Sequence, residues 1–144
     1  MTAEQDARFR LGLARKLLER ARDEVTRGSW REAALFGRGA IENAAKAIVA
    51  CFAAVPRSHE PSALLAGALA DPRFPAAHRA AAATLLPRLA GHGMAEHVLL
   101  SYGDERNRID PWSLVTAQHA GETIAAAAET AALADAVLAD VLGA

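Results

Sequence analysis

The sequence is poor in aromatic and β-branched residues. Aromatic residues make up only 5% of its 144 residues although 52% are hydrophobic, because most of the apolar residues are alanine and leucine. Alanine and leucine favour helices, whereas aromatic and β-branched residues favour strands. The composition therefore predicts an all-α chain, and its length fits one domain over residues 1–144.

Cysteine and long apolar runs are also scarce. The lone cysteine, Cys51, excludes a disulfide within the chain, and its place on the apolar side of a predicted helix indicates packing rather than redox chemistry. No apolar run approaches the roughly 20 residues that a transmembrane helix needs. The first residues, MTAEQDARFR, lack the charge order and apolar core of a signal peptide. We therefore expect a cytoplasmic protein with no membrane contact.

Net charge is nearly absent, since the formal charge is −1. This balance gives no general attraction to nucleic acid or to an anionic membrane. The distribution is uneven, however: residues 1–50 carry ten basic and seven acidic groups, residues 51–113 carry six of each, and residues 114–144 carry four acidic groups and no Lys or Arg. We expect the acidic last helix to complement the arginine-rich first helix across a bundle.

The stretch from Ser29 to Phe52 carries the strongest helix signal. Ser29 and Glu32 have the spacing of a capping box, in which each side chain satisfies a backbone donor at the start of a helix. Apolar residues then cover one half of the helical wheel, a stripe wider than a surface helix needs. The pattern predicts a central helix that is buried on two sides.

The other half of this wheel carries charge. Glu42 and Lys46 lie there at i, i+4 spacing, so we expect an ion pair on a charged outer surface. Gly37 and Gly39 interrupt the same helix without the ending of a phosphate-binding loop. Close approach of neighbouring helices explains both glycines best, because glycine lowers helix propensity.

Helical signals on both sides of this stretch complete a bundle. Thr2 and Gln5 form another capping box, which begins a first helix that ends near Gly28, and the short link to Ser29 predicts an antiparallel hairpin. Further helices are predicted from Ser62 to Ala70, from Pro75 to about Leu89 with a bend or end at Pro87, from Met94 to about Tyr102, and from about Thr116 to Leu142. The predicted architecture is an up-and-down helical bundle of three long helices with shorter helices in the middle of the chain.

Sequence patterns for metal binding and nucleophilic catalysis are missing. The chain has no HExxH sequence and no Glu three residues before a His. His92 and His97 would lie about 140° apart on a helix, and Gly93 interrupts the segment between them. The chain also lacks a GxSxG sequence and a cysteine–histidine arrangement. We therefore expect no metal ion and no cofactor.

The most polar stretch is the predicted loop from Tyr102 to Pro111. Arg106 and Arg108 could bind phosphate or RNA there, because a guanidinium group binds phosphate oxygens in a bidentate manner. Asn107 could add a donor. The alternative is a solvated loop whose charges pair with one another.

The central helix also carries a pattern that resembles the signature of HEPN domains. The pattern is Phe36-x3-Ala40-x-Glu42-x-Ala44-x-Lys46-Ala47, followed by His59 and a leucine-bearing segment. The loop that begins at Tyr102 and the alanine-rich last helix are similar to the C-terminal half of that family, so the resemblance covers almost the whole chain. It implies a HEPN-like helical domain, commonly dimeric, often encoded beside a minimal nucleotidyltransferase with which it forms a complex. In many members this is a toxin–antitoxin pair.

The resemblance also implies where a ribonuclease centre would lie. Ribonuclease members carry an Arg, usually followed by a polar residue, and a His after four to six further positions, in an active site formed across the dimer. Arg106 and Asn107 match the first part and are the catalytic candidates. The His should then fall at Pro111, Trp112 or Ser113. Because this cleavage is expected to need an imidazole for proton transfer, its absence argues against an active ribonuclease.

One other segment, Arg73 to His78, has a matching Arg-x4-His spacing. A chance match is expected in a chain with five histidines and many arginines. Pro75 lies inside the segment, and its position between the two middle helices does not fit the family motif. We therefore give it less weight than Arg106.

Three functions remain open at this point. The first is a dimeric interaction module that binds a minimal nucleotidyltransferase and lacks the catalytic histidine. The second is a metal-independent ribonuclease toxin that uses Arg106 with a histidine from elsewhere, His97 or His119. The third is a protein that binds RNA, a nucleotide or a small ligand beside Arg106, with candidate contacts at Tyr102, Arg108 and His59.

Overall fold

The computed structural model describes residues 1–143, in which the regular secondary structure is helical. The α-helices are α1 (Ala3–Thr26), α2 (Trp30–Ala50), α3 (Pro61–Leu69), α4 (Arg79–Leu89), α5 (Met94–Tyr102), α6 (Pro111–Leu114) and α7 (Ala117–Leu142). Short 3₁₀ turns at Ala76–His78 and Ala90–His92 lead into α4 and α5. None of these helices is long and apolar enough to cross a membrane. The all-α prediction is confirmed.

Three long helices, α1, α2 and α7, form the core of the bundle, and α2 lies between the other two. Two glycines of α2 lie where the neighbouring helices α1 and α7 approach it closely. A Cβ atom at Gly37 would lie 3.1 Å from Cγ2 of Thr123 in α7, and one at Gly39 would lie 3.2 Å from Cδ1 of Leu17 in α1. The explanation of both glycines by close helix approach is therefore confirmed.

The start of α1 and the turn after it follow the predictions. Gln5 N donates to Thr2 Oγ1 at 3.1 Å, and Thr2 N donates to Gln5 Oε1 at 2.9 Å, which completes the capping box. Gly28 has a φ of 69°, in the left-handed region that glycine adopts readily. The turn lets α2 fold back along α1 as an antiparallel hairpin.

The capping box predicted at the start of α2 is wrong. Ser29 forms no side-chain cap, because its ψ of 76° differs from the extended conformation that an N-cap residue usually adopts. Glu32 instead accepts a hydrogen bond of 2.7 Å from Nε1 of Trp112. The helix still forms, so its start depends on packing and on the glycine turn rather than on a side-chain cap.

Several boundaries in the rest of the chain also differ from the predictions. The central helix ends at Ala50, two residues early, and a 3₁₀ turn precedes α4. Helix α4 begins at Arg79 rather than near Pro75 but ends at Leu89 as predicted, and Pro87 lies inside it. The carbonyl that the missing N–H of Pro87 leaves free belongs to Ala83, which is exposed to water. The single turn α6 is capped by Asp110 and was not predicted.

Three of the four acidic residues of α7 contact basic side chains on neighbouring elements. Asp135 forms an ion pair with Arg15 of α1, as the charge distribution predicts. Glu129 pairs instead with Arg88 of α4, and Asp140 lies 2.7 Å from His78. Ion pairing with α1 therefore balances only part of the negative charge of α7.

Ile48 is completely buried in the middle of this core. We expect Ile48→Asp to lower the free energy of unfolding by several kcal/mol, because the new carboxylate would lose its hydration without gaining a partner. Such a loss is a large part of the roughly 5–15 kcal/mol that stabilises a typical domain. Urea denaturation followed by circular dichroism measures the effect.

The control for this variant is Ala83→Asp, at an exposed position of α4. It should cost less than about 1 kcal/mol, since it changes only helix propensity and surface charge. An Ile48→Asp protein as stable and cooperative as the control would show that the wrong face of α2 has been assigned to the core.

Candidate functional site

Three charged residues of α2, Arg38, Glu42 and Lys46, lie in a largely buried cluster rather than on an outer surface. Glu42 is 8% exposed, and Arg38, one turn earlier, is 4% exposed. The expected outer position of the Glu42–Lys46 pair is therefore wrong. The loop at His59 and the turn at Gly93 cover this side of α2, and a helical wheel cannot show such a cover.

Three side chains contact the carboxylate of Glu42. Lys46 Nζ donates to Oε1 at 2.8 Å, Arg38 Nη1 donates to Oε2 at 3.0 Å, and His59 Nδ1 lies 3.0 Å from Oε1. Burial raises the pKa of Glu42, but the Lys46 hydrogen bond and the nearby positive charges outweigh it and hold the pKa below its ordinary value. Glu42 is therefore ionised near neutral pH.

Arg38 connects this cluster with the middle of the chain. Its Nε donates to the carbonyl of Gly93 at 3.2 Å, before α5, and its Nη2 donates to the carbonyl of His59 at 3.0 Å, before α3. The ring of His59 stacks on that of His97 in α5, with centroids 5.5 Å apart and an interplanar angle of 5°. These contacts hold α3 and α5 on α2, so the cluster has a structural role.

Phe36, the first residue of the signature pattern, faces a different neighbour. Its ring centre lies 5.8 Å from the guanidinium carbon of Arg20 in α1. The structure thus brings Glu42, Lys46 and His59 together but not Phe36 with them.

The loop that carries Arg106 is a tight turn. Asp104 and Ile109 pair through two backbone hydrogen bonds of 2.8 and 3.0 Å. The Asp104 carboxylate accepts bonds from the side chain of Asn107 at 2.7 Å and from its backbone at 3.1 Å, and these bonds hold the pKa of Asp104 below its ordinary value. Asn107 therefore stabilises the turn, and its side-chain amide donates to Asp104.

The two arginines of this turn are exposed. Arg106 and Arg108 extend into solvent, and neither takes part in an ion pair within residues 1–143. Arg108 has a φ of 57°, which turns the chain back so that Ile109 pairs with Asp104. Tyr102, at the end of α5, is 63% exposed. The turn thus presents an aromatic ring and two cations to solvent.

The three positions at which the resemblance places a histidine have structural roles. Pro111 is buried and begins α6. Ser113 donates from its backbone and its hydroxyl to Asp110, each at 2.9 Å. Trp112 donates to Glu32, and its ring is 61% exposed.

The other histidines considered for catalysis lie at separate contacts. His97 stacks on His59, and His119 contacts Glu96. His78 contacts Asp140 at 2.7 Å. The match from Arg73 to His78 therefore does not form a pair. Arg73 donates to Asp71 instead, and these hydrogen bonds, with the Arg73 charge, lower the pKa of Asp71 to about 2.

A second buried carboxylate, Glu96, was missed by the sequence reasoning. It is 6% exposed and lies between two histidines. His92 Nδ1 is 3.0 Å from both carboxylate oxygens, His119 Nε2 is 2.8 Å from Oε2, and Thr123 Oγ1 donates to Oε2 at 3.1 Å. Burial raises the pKa of Glu96, but the two histidines outweigh it and hold the pKa below its ordinary value.

Of the two histidines that contact Glu96, only His92 lies close to it in the sequence. His92 and Glu96 have i, i+4 spacing, but Gly93, with a ψ of −147°, interrupts the helix between them as expected, and their contact forms across this break. The contact with His119 joins residues 23 positions apart and depends on how α7 packs against α5.

The histidines and Glu96 line a cleft of about 570 Å³ between α4, α5 and α7. The remaining lining residues are Pro87, Arg88, Gly91, Ala95, Leu99 and Glu122. Among the residues that the structure describes, no group of three or more His, Cys, Asp or Glu is arranged to hold a metal ion.

Comparisons with known proteins bear on the fold. No family model matches the sequence, and no curated protein matches it. The crystal structure of TT1696 from Thermus thermophilus is similar, with a TM-score of 0.68 and 22% identity over 92% of this chain and 98% of that chain. At 22% identity, this similarity supports the helical architecture and is not evidence of a function.

We expect Glu42→Gln to destabilise the fold by about 3 kcal/mol at neutral pH, since Arg38 would keep a buried charge without its carboxylate. The pKa of Glu42 is lowered from 4.5 on folding, so its ionised form stabilises the fold above that pH. This contribution is lost as the pH falls through the folded-state pKa. The difference in unfolding free energy between wild type and variant should therefore be largest near pH 7 and shrink in acid.

Urea denaturation over a pH series measures this difference. Glu19→Gln is the matched control, because Glu19 is 65% exposed and its contact with Lys16 spans 4.0 Å. The control should change stability little at any pH. A Glu42→Gln effect that is equally small would contradict the structural role of the cluster.

Proposed function

We propose that this chain is a HEPN-type helical protein that forms a homodimer in the cytoplasm and binds a minimal nucleotidyltransferase, as in a toxin–antitoxin pair. The observation that carries the proposal is the placement of the signature residues: Lys46 and His59 both contact the buried carboxylate of Glu42 in an all-α bundle. In this proposal, the signature residues occur together because they hold the middle helices on the central helix. In this proposal the turn at Arg106 does not form the family's ribonuclease centre, because Pro111 and the two residues after it have structural roles.

The outer face of α5 supports partner binding. Met94, Val98 and Tyr102 follow one another at i, i+4 spacing and are 41%, 39% and 63% exposed. We call these three residues the α5 surface. Side chains at this spacing lie on one face of a helix, and a continuous exposed apolar face is typical of an interaction site. We assign nucleotidyltransferase binding to the α5 surface.

Co-expression tests this proposal. The purified chain is expected to be a dimer by light scattering, and a tagged chain should co-purify with the nucleotidyltransferase encoded beside it. Val98→Glu should reduce co-purification at least about tenfold, because binding would bury a charge in an apolar contact. Ala83→Glu, on the exposed face of α4, is the control and should co-purify like wild type. A chain that remains alone beside a genuine nucleotidyltransferase would contradict the proposal.

A second candidate function, binding of single-stranded RNA or a nucleotide, is favoured by the turn at Arg106. Tyr102 and Trp112 expose aromatic rings on either side of this turn in the sequence, and Arg106 and Arg108 are exposed between them. Aromatic rings stack on bases and arginines bind phosphates, a combination typical of single-strand binding sites.

Fluorescence anisotropy with a labelled single-stranded RNA tests this candidate. Arg106→Ala should weaken binding and make it less dependent on salt, since each lost phosphate contact lowers the slope of log K against log salt by about 0.7. Arg22→Ala, which removes an exposed arginine of α1, should bind like wild type. The absence of any RNA or nucleotide binding by the wild type would remove this candidate.

A further inference from the structure

An open groove of about 470 Å³ runs along α3, beside the loop that follows α2. One face of α3 forms a wall of this groove, where Ala63 and Gly67 are exposed at i, i+4 spacing. The rest of the lining comes from the end of α2, from the loop between Phe52 and Ser58, and from Asp71. Apart from Ser58 and Asp71, the lining residues are apolar or glycine, so the groove offers a mostly apolar surface.

Small residues keep this groove open. No atom lies within 4 Å of the position that a Cβ atom would take at Gly67, so the space beside this glycine belongs to the groove. Ala53, Ala54 and Ala63 are exposed along the same groove. An apolar molecule in the groove would therefore approach the backbone of α3 closely and remove these side chains from water, which favours binding.

The groove has one hydrogen-bonding side chain near each end of α3. Ser58 precedes the helix, and its Oγ accepts a bond of 3.1 Å from Glu60 N, which leaves the hydroxyl hydrogen to donate. Asp71 follows the helix. Its Oδ1 accepts two bonds from Arg73 and its Oδ2 accepts one, so Oδ2 keeps a lone pair for a further donor. Apolar walls with a few fixed polar groups are typical of small-molecule sites.

The charges around the groove decide the class of ligand. Of the described residues that line it, only Asp71 is charged, and this charge is already balanced by an ion pair with Arg73 at 2.8 Å. Arg73 is held in place by a second bond of 2.7 Å to the carbonyl of Phe52. A bound carboxylate would meet the like charge of Asp71, whereas a bound ammonium would have to displace Arg73 from it. An uncharged ligand avoids both costs.

We propose that the groove along α3 binds an uncharged molecule with an apolar body and a terminal hydroxyl group, such as an aliphatic alcohol. The apolar body lies against α3 and the loop after α2, and the hydroxyl group donates to Oδ2 of Asp71. The site shares no residue with the α5 surface or with the turn at Arg106. It therefore goes beyond the proposed function and does not depend on it.

The test is a titration of the isotope-labelled full chain with n-octanol, followed by heteronuclear NMR. The amide signals that shift should belong to α3 and to the loop after α2, and they should saturate together with one dissociation constant. Octanoate and n-octylamine carry the same chain with a negative or a positive head. Each should bind at least about tenfold more weakly than n-octanol, because its charge would enter a mostly apolar groove without a partner.

A matched pair of glycine variants tests the place of binding. Gly67→Leu fills the groove and should weaken n-octanol binding at least about tenfold, because the ligand and the new side chain cannot share the space. Its melting temperature should not fall, since leucine favours a helix more than glycine does. Gly121→Leu is the control: Gly121 is also an exposed helical glycine with no atom within 4 Å of its Cβ position, but it lies in α7, outside the groove. This variant should bind n-octanol like the wild type.

Asp71→Asn tests the position of the hydroxyl group. The asparagine can still accept a hydrogen bond from n-octanol, so the affinity for the alcohol should change little. The charge of Arg73 is then no longer balanced, so octanoate should bind the variant more tightly than it binds the wild type. An apolar contact without a defined place for the polar group would not respond to this change.

Four results would overturn the proposal. The first is the absence of amide shifts along the groove at the solubility limit of n-octanol. The second is wild-type affinity in folded Gly67→Leu, which would place the alcohol elsewhere. The third is octanoate or n-octylamine binding the wild type as tightly as n-octanol, which would contradict an uncharged ligand; for octanoate, the exposed Arg57 beside Ser58 would then be the partner of the carboxylate. The fourth is an octanoate affinity that Asp71→Asn leaves unchanged. Because co-purification measures nucleotidyltransferase binding separately, failure of one proposal does not imply failure of the other.

Discussion

Glu42 brings a negative charge into the interior of the bundle, and the middle of the chain is arranged around the groups that neutralise it. Arg38 and Lys46 supply positive charge from the same helix. Arg38 then uses its remaining donors on the carbonyls of His59 and Gly93, so the group that balances Glu42 also fixes the segments that begin α3 and α5. A buried ion pair often adds little net stability, since desolvation offsets the attraction. Its effect here is to define where the middle helices sit.

This arrangement matters because the packing surfaces of α2 are made largely of alanine and glycine. Small side chains allow α1 and α7 to approach closely, as the contacts around Gly37 and Gly39 show. They also bury little apolar area, and each missing methylene forgoes about 0.8 kcal/mol of hydrophobic stabilisation. Helix α5 illustrates the consequence, since its buried residues are Glu96 and Leu100. Hydrogen bonds from Arg31 to the Leu100 carbonyl and from Arg38 to the Gly93 carbonyl help to hold it on α2. In a bundle packed with small residues, directional hydrogen bonds thus fix the helix positions that apolar packing alone does not fix.

The features that could be predicted from the sequence are those that depend on interactions between residues only a few positions apart. The capping box at Thr2, the left-handed turn at Gly28 and the start of the last helix at Thr116 each depend on local backbone donors or on glycine. The capping box at Ser29 failed although its spacing was right, because the backbone there takes another conformation and Glu32 bonds to Trp112, 80 residues away. Local chemistry can thus be overridden by a partner that only the folded chain provides.

The candidate sites were harder to predict because burial of a charge is a tertiary property. The wheel placed Glu42 correctly opposite the apolar stripe, yet it could not show that His59 and Gly93 would cover that side. For Glu96, the sequence offered a histidine four residues earlier but no sign of His119. A carboxylate that looks like a surface residue in sequence can therefore be the most buried charge of a segment.

The two buried carboxylates differ in the side chains that contact them. Glu42 pairs with Arg38 and Lys46, and it also contacts His59, half of whose side chain is exposed. The partners of Glu96 are His92, His119 and Thr123, and in the described part of the chain no Lys or Arg lies within ion-pair distance of it. Arg38 has donors left for the carbonyls of His59 and Gly93, whereas each histidine offers one ring nitrogen to Glu96. The cluster at Glu42 therefore fixes two segments on α2, while the cluster at Glu96 joins α5 to α7 and to the turn that precedes α5.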